Sequence, residues 1–306
     1  MNVKGFTILL TVLLITGCSS PPPPSPSDPP PPSPPEGPSP IPFHFTEENF
    51  PRIDGSTANI PLGQMIYAAL LGKSAEEAET FIHFNGTAPA WYGLTQGEVD
   101  LLLAYEPSQE TVAWLSGYTK LTYAPIGRDA LVFLVNAQNK VDGLTAEQLR
   151  DIYSGAVANW KEVGGEDAAI AAYQRNAASG SQAMMEKLVM QGTEMDVPPQ
   201  TMLIGDMGGL VDAVALYTNA HSAVGYNVYY YVSQMKNDPN VKLLAVNGAA
   251  PDNTSIQSGA YPFVNDFFVA IRESEQAGSP ARILYEWLQS ADGQALVAAA
   301  GYVPAG

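Results

Sequence analysis

The sequence predicts an α/β fold with mainly parallel sheets, and three observations predict it. From Phe43 to Gly306, short apolar runs of strand character alternate with segments of helical periodicity. Polar loops carrying turn and cap residues separate them. No second linker and no repeat of 20–50 residues interrupts the pattern. A length of 306 residues suits one large or two ordinary domains.

Residues 1–17 read as a targeting segment. Lys4 precedes an apolar run from Phe6 to Ile15 that is too short to span a bilayer as a mature helix. Leu14-Ile15-Thr16-Gly17-Cys18 resembles the lipobox of bacterial lipoproteins, which implies that Cys18 becomes an acylated N-terminus. The plain alternative is an ordinary signal peptide with a cysteine there by chance. Cleavage before Cys18 removes Lys4 and moves the net charge from -17 to -18. Residues 18–42 then form a tether, almost entirely Pro and Ser after the cysteine. Such composition buries no core and favours polyproline II, which at ~3.1 Å per residue spans on the order of 70 Å.

Within the α/β region, Asp54-Gly55-Ser56-Thr57 precedes a helix whose Pro61 suits the first turn. Thr80 to Phe84 has strand character, Ala90 to Leu94 suits a short helix, and Val99 to Tyr105 suits a buried strand. A helix over 110–115 is followed by two strands, Leu121 to Ile126 and Asp129 to Asn136. Thr145 with Gln148 predicts a capping box for a helix ending at Tyr153, and Asn159-Trp160 sits in a loop. Strand-like Ile170 to Tyr173 and a helix over 182–190 flank the most polar loop. Later elements are a helix over 210–217, a strand over 223–226, a helix over 229–236 and strands over 241–246 and 261–271. Helices over 280–289 and 292–300 close the chain.

Composition excludes several function classes. So acidic a chain, without a basic stripe, would repel a polyphosphate backbone, so no nucleic-acid partner is expected. One cysteine excludes an internal disulfide. His44, His83 and His221 are scattered without metal-ligand spacing, so neither a zinc site nor a cofactor is expected. An enzyme such as a phosphatase would need a metal cluster or an activated nucleophile with its base, and the histidines supply neither.

The candidate site residues lie in loops between strands and helices. Arg175, Ser179, Gly180 and Ser181 sit where a strand gives way to a helix. There, unpaired backbone N–H groups, hydroxyls and a guanidinium can converge on an oxyanion. A serine that merely caps the helix beside a surface arginine is the bland alternative. Ser56 and Thr57, Thr87 and Glu106 each follow a strand end, where ligands bind in open α/β sheets. Singly these are a cap, a turn residue and a solvated charge. Asp206 with the Gly208-Gly209 turn, and Trp91 with Tyr92, are further candidates for the cleft edge.

From about Phe50 to Pro304 the sequence resembles the phosphate-binding proteins of bacterial ABC uptake systems, within the type II periplasmic-binding-protein superfamily. The resemblance is carried by Pro125 to Asn136, Leu144 to Gly155 and Asn159 to Gly165, by Arg175 with Ser179-Gly180-Ser181, and by Gly301-Tyr302-Val303-Pro304. It implies two lobes joined by crossover strands, each lobe a mixed, mainly parallel sheet flanked by helices, closing on a phosphate in the interlobe cleft. The implied division is residues 43–126 for the first part of lobe 1, 127–240 for lobe 2 and 241–306 for the return to lobe 1. It also implies Thr57, Ser56 and the amide of Ala58 on one phosphate edge, then Thr87, with Arg175, Ser179, Gly180 and Ser181 opposite. The family's aspartate that accepts the phosphate proton aligns with Glu106, one methylene longer. The loop Asn85 to Pro89 lacks the family's glycine- and serine-rich form.

Phosphate keeps a proton near neutral pH and sulfate keeps none, so a carboxylate facing the anion favours phosphate. A like-charge contact costing even ~4 kcal/mol is about a thousandfold in affinity. The expectation is a monomeric, non-enzymatic, lipid-anchored binding protein on the outer face of the cell membrane. It delivers inorganic phosphate to an ABC permease and ATPase complex. Alternatives are another oxyanion, such as sulfate or molybdate, or a surface sensor or adhesin that keeps the fold.

Overall fold

One strand, β3 (Leu121–Asn136), ties the molecule together. The structure is a computed structural model and describes residues 43–115, 117 and 120–305. The targeting segment, Cys18 and the tether lie outside the described residues. Before β3 come β1 (Ile53–Gly55), α1 (Ile60–Leu71), α2 (Ala75–Phe81), α3 (Thr87–Gln96), β2 (Leu101–Tyr105) and α4 (Gln109–Leu115). After it come β4 (Gly143–Leu144), α5 (Ala146–Tyr153), β5 (Ala171–Ala172), β6 (Gln174–Arg175), α6 (Gly180–Met184), β7 (Leu203–Ile204), α7 (Met207–Ala215) and β8 (Ala223–Val228). Next are β9 (Val241–Leu243), β10 (Ala245–Val246), α8 (Asn253–Ser258), β11 (Val264–Arg272), α9 (Pro280–Leu288), α10 (Ala291–Ala299) and β12 (Val303–Pro304). Wider π-turns continue α6 over Met185–Met190 and form the helical segment Tyr231–Lys236.

The main sheet runs β1-β2-β11-β3-β8-β5, with β9 and β12 also on β3. It is mixed: β1–β2 and β5–β8 are parallel, whereas every pairing of β3 and β11 is antiparallel. The first half of β3, Leu121 to Ala130, pairs with β11, and Leu131 to Asn136 pairs with β8 and β9. The chain therefore crosses from one lobe's strands to the other's at Asp129-Ala130-Leu131.

The two strands expected over 121–126 and 129–136 are thus one. Pro125 and Gly127 read as a break, but the β11 register shifts between Phe267 and Phe268, which pair with Gly127 and Pro125. Ile126 is left as the extra residue of a bulge, the arrangement that tolerates a proline without a ladder N–H. Of the expected strand at Thr80 to Phe84, Thr80 and Phe81 instead end α2, and Ile82 to Phe84 follow it in no regular element. That helix is set by a reciprocal capping box between Ser74 and Glu77, which outweighs the strand propensity of Thr80, Phe81 and Ile82. The Thr145–Gln148 box of α5 is present as expected. Trp160 opens a short 3-10 turn rather than a loop. Strands β9 and β10 pair with the second half of β3 and with β4, so the pairing on the first-lobe side resumes at β11, later than residue 241.

The core follows β3. Residues Ala130 to Val135 are fully buried, and Phe133 packs edge-on or tilted against Phe263, Tyr153 and Tyr226. Pro61 and Pro280 sit in the first turns of α1 and α9, where a missing N–H costs nothing.

Candidate anion site

A cavity of about 360 Å³ lies where the two groups of strands meet. Its wall combines Ser56 and Thr57 after β1, Asn85 to Thr87 and Pro89 at the start of α3, and Tyr105 at the end of β2. Arg175, Asn176 and the run from Ala178 to Ser181 complete it with Gly205 to Gly208, Val228 and Tyr231. Chain segments far apart in sequence thus meet at one point.

On the first-lobe side, the Ser56 amide donates to the Leu103 carbonyl at 3.0 Å. The Ser56 hydroxyl lies 2.8 Å from that of Thr87 and accepts from the Tyr105 amide at 3.0 Å. Both hydroxyls are therefore held in place within a buried network. Thr87 opens α3, whose N-cap is Gly86 with φ of 97° and no side-chain cap bond. Among the first-turn positions, Pro89 has no N–H and the Ala88 amide donates to the Ala178 carbonyl at 3.3 Å. That last bond joins the two sides of the cavity. The backbone also approaches closely at Gly180, where an added Cβ would sit 2.6 Å from the Thr87 hydroxyl.

On the other side, Arg175 ends β6 and is only 6 % exposed. Its Nε donates to the Ile204 carbonyl and its Nη2 to that of Gly205, both at 3.2 Å, while Nη1 lies 3.5 Å from the Ser181 hydroxyl. No carboxylate of the described residues comes within ion-pair distance of it. Burial pushes its pKa down, and Tyr226, Asp206 and Tyr231 act in the opposite sense. Ser179 caps α6 by accepting from the Gln182 amide at 3.0 Å, and its hydroxyl is 3.4 Å from that of Ser181. Ser179 thus caps the helix while the same loop lines the cavity.

The structure brings together Ser56, Thr57, Thr87, Arg175, Ser179, Gly180 and Ser181. It does not bring in Glu106. That carboxylate lies outside the lining, in a partly exposed ion pair with Lys187 of the π-turn segment, because the chain after Tyr105 turns outward into Pro107 and α4. Ala58 is fully buried behind the wall and not part of it, with its carbonyl accepting from the Tyr302 hydroxyl at 2.6 Å. Trp91 also stays behind the wall, donating to the Tyr105 carbonyl at 2.8 Å, and Tyr92 lines a neighbouring groove.

Sequence reasoning missed Tyr105, Asn85, Asn176 and Tyr231 as lining residues. Tyr105 could have been found as the last residue of a strand, the position where such ligands bind. Asp206, a candidate for the edge, does line the cavity. Among the described residues no cluster of His, Cys, Asp or Glu could hold a metal ion, and no helix is long and apolar enough to cross a membrane.

Comparison with known proteins identifies the family of the chain. The family model of the PBP superfamily domain matches residues 52–290. The chain is 28 % identical over 171 residues to the phosphate-binding protein PstS of Bacillus subtilis, covering 56 % of this chain and 53 % of that protein. It is 25 % identical over 180 residues to PstS of Borreliella burgdorferi, covering 57 % and 63 %. The matches thus span roughly half to three-fifths of these relatives. Among solved structures, an ABC-type phosphate transport receptor from Vibrio cholerae superposes with a TM-score of 0.60 at 26 % identity, covering 82 % of this chain and 98 % of that one. A candidate phosphate ABC transporter substrate-binding protein from Clostridium perfringens, with bound phosphate, gives 0.65 at 22 %, covering 83 % and 99 %. This two-lobed chain belongs to the PBP superfamily, through the domain that spans residues 52–290.

Proposed function

We propose that the chain is a non-enzymatic, extracytoplasmic solute-binding protein that captures inorganic phosphate between its lobes and delivers it to an ABC importer. It is held to the outer face of the membrane by lipid on Cys18, at the end of its Pro/Ser tether. One observation carries the oxyanion part: a buried arginine, with no carboxylate of the described residues within ion-pair distance, faces a cavity lined by hydroxyls and amides. Burying an uncompensated cation costs several kcal/mol, and a bound anion is the counter-charge that would repay it. Arg175 supplies the full charge, with Ser56, Thr57, Thr87, Ser179, Ser181 and the backbone of Gly180 completing the hydrogen bonds. The phosphate part rests on the relatives named above, two of which are phosphate-binding proteins by name.

The cavity volume leaves room for a second ligand class. At roughly 30 Å³ per water, about 360 Å³ holds on the order of a dozen waters, more than a five-atom oxyanion needs. A small phosphate monoester would fit the same cradle.

Titration of the purified chain with phosphate, sulfate, molybdate and glycerol phosphate, followed by tryptophan fluorescence, tests both readings. Trp91 reports through its bond to the Tyr105 carbonyl. Saturable response to phosphate supports the first reading, stronger response to the ester supports the second, and silence to all four overturns both.

A further inference from the structure

The cavity has two ends of different character. Its inner end is made by Ser56, Thr87, Arg175 and Ser181, each no more than 6 % exposed. Its outer end meets solvent, with Asn85 and Asp206 exposed and Asn176 and Tyr231 half-buried. We propose that the outer end is a second subsite, which binds the hydroxyl groups of a polyol phosphate whose phosphoryl group sits on Arg175. This rests on the phosphate-monoester reading of the cavity.

Tyr231 is the centre of that subsite. Its phenolic oxygen lies beside Gly208, where an added Cβ would come within 3.1 Å of it. The hydroxyls of Tyr226 and Tyr230, which precede it, are spent within the protein. Tyr226 donates to the side-chain oxygen of Gln182, and Tyr230 to the Ala300 carbonyl at 2.8 Å. The Tyr231 hydroxyl bonds to no described residue. Partial burial pushes its pKa up. At neutral pH it is therefore an uncharged group that can donate one hydrogen bond and accept another.

The rest of the outer end offers acceptors. Asn85 Nδ2 donates to the Asp54 carboxylate at 2.8 Å and Asn176 Nδ2 to the Gly205 carbonyl at 3.2 Å. Each side-chain oxygen is thereby left to accept. Asp206 adds a carboxylate, and no lysine or arginine of the described residues lines this end. Acceptors without a cation oppose a second anionic group, as in a diphosphate, and suit O–H donors. A bare oxyanion on Arg175 leaves these acceptors to water, whereas a phosphate ester carrying hydroxyls engages both ends. The two sides of the cavity already meet at the bond from the Ala88 amide to the Ala178 carbonyl, so this room persists with the walls in contact.

The test is calorimetric titration of the full chain, wild type and Tyr231→Phe, with inorganic phosphate, ethyl phosphate and glycerol phosphate. Ethyl phosphate has the ester without the hydroxyls, so its comparison with glycerol phosphate on wild type needs no variant. Wild type is expected to bind glycerol phosphate about tenfold tighter than ethyl phosphate, the scale of one or two net hydrogen bonds. In Tyr231→Phe the ratio of glycerol phosphate to phosphate affinity is expected to fall about tenfold. Equal binding of the two esters by wild type, or an unchanged ratio in Tyr231→Phe, overturns this assignment alone. Binding of phosphate with exclusion of both esters overturns the monoester reading with it, and binding of none of the three overturns the oxyanion reading as well.

Discussion

At Arg175 the electrostatic cost of the site is concentrated in one side chain. It sits in low-dielectric surroundings, bonded to carbonyls and a hydroxyl rather than to a carboxylate. Charge-assisted bonds to an anion there are stronger than they would be in water. Arg175→Met keeps the apolar stem and removes the charge. We expect phosphate affinity to fall at least a hundredfold, about 3 kcal/mol, while the unliganded protein changes by only about 1–2 kcal/mol. That smaller change arises because relief of a buried charge offsets the carbonyls left unpaired. Parallel binding and chemical denaturation would check the pair of values. Gly180 is the complementary case. With a Cβ 2.6 Å from a Thr87 hydroxyl that is itself tied to Ser56, Gly180→Ala should hold the two walls apart. About tenfold weaker phosphate binding with little loss of fold stability is expected. Unchanged affinity would show that the walls do not close on this contact.

At the level of elements, β3 carries the connection between lobes, and the buried Asp129 marks its crossing point. Asp129 accepts from the Tyr105 hydroxyl at 2.6 Å, the Ala130 amide at 2.7 Å and the Tyr230 amide at 3.1 Å. Tyr105 and Tyr230 approach it from opposite ends of the crossing. Burial pushes its carboxyl up to about 6, and these hydrogen bonds only partly offset the rise. The folded state therefore holds this proton more tightly than the unfolded chain. Stability is lost as pH rises from about 4 to about 6 and is level above that window. Asp129→Asn removes the titration, so its stability relative to wild type should climb across the window by roughly 3 kcal/mol, at 1.36 kcal/mol per unit. Urea unfolding of both proteins at several pH values would show it, and a constant difference would contradict it. Legibility in the sequence divides along the same line between local and distant contacts. The helix starts at Pro61, Thr145 and Pro280 were readable because caps are local. The Ser74–Glu77 box was equally local, and was hidden by the strand-like Thr80 to Phe84 that follows. The continuity of β3 was not readable, because the bulge at Ile126 that accommodates Pro125 forms only against β11, a strand far along the chain. In the cavity, Arg175 and its serines were legible as one short loop. Tyr105 and Asp206 enter through tertiary pairing, and Glu106 was misplaced because a strand end does not reveal which way the chain turns next.

For the whole molecule, the net charge of -17 sets the long-range field against the ligand. Binding must come from the local dipoles and the arginine inside the cleft. Added salt screens that repulsion beyond a Debye length of about 10 Å at 0.1 M, so phosphate association should be level or faster as sodium chloride is raised. A steep fall with salt would point to an attractive patch elsewhere. The central claim is that the interlobe cavity is an oxyanion clamp built on Arg175. It is met most directly by calorimetric titration of phosphate into wild type and Arg175→Met side by side. The account predicts saturable one-to-one binding by wild type and none detectable under the same conditions in the variant. Absence of binding by wild type, or equal binding by both, would contradict it.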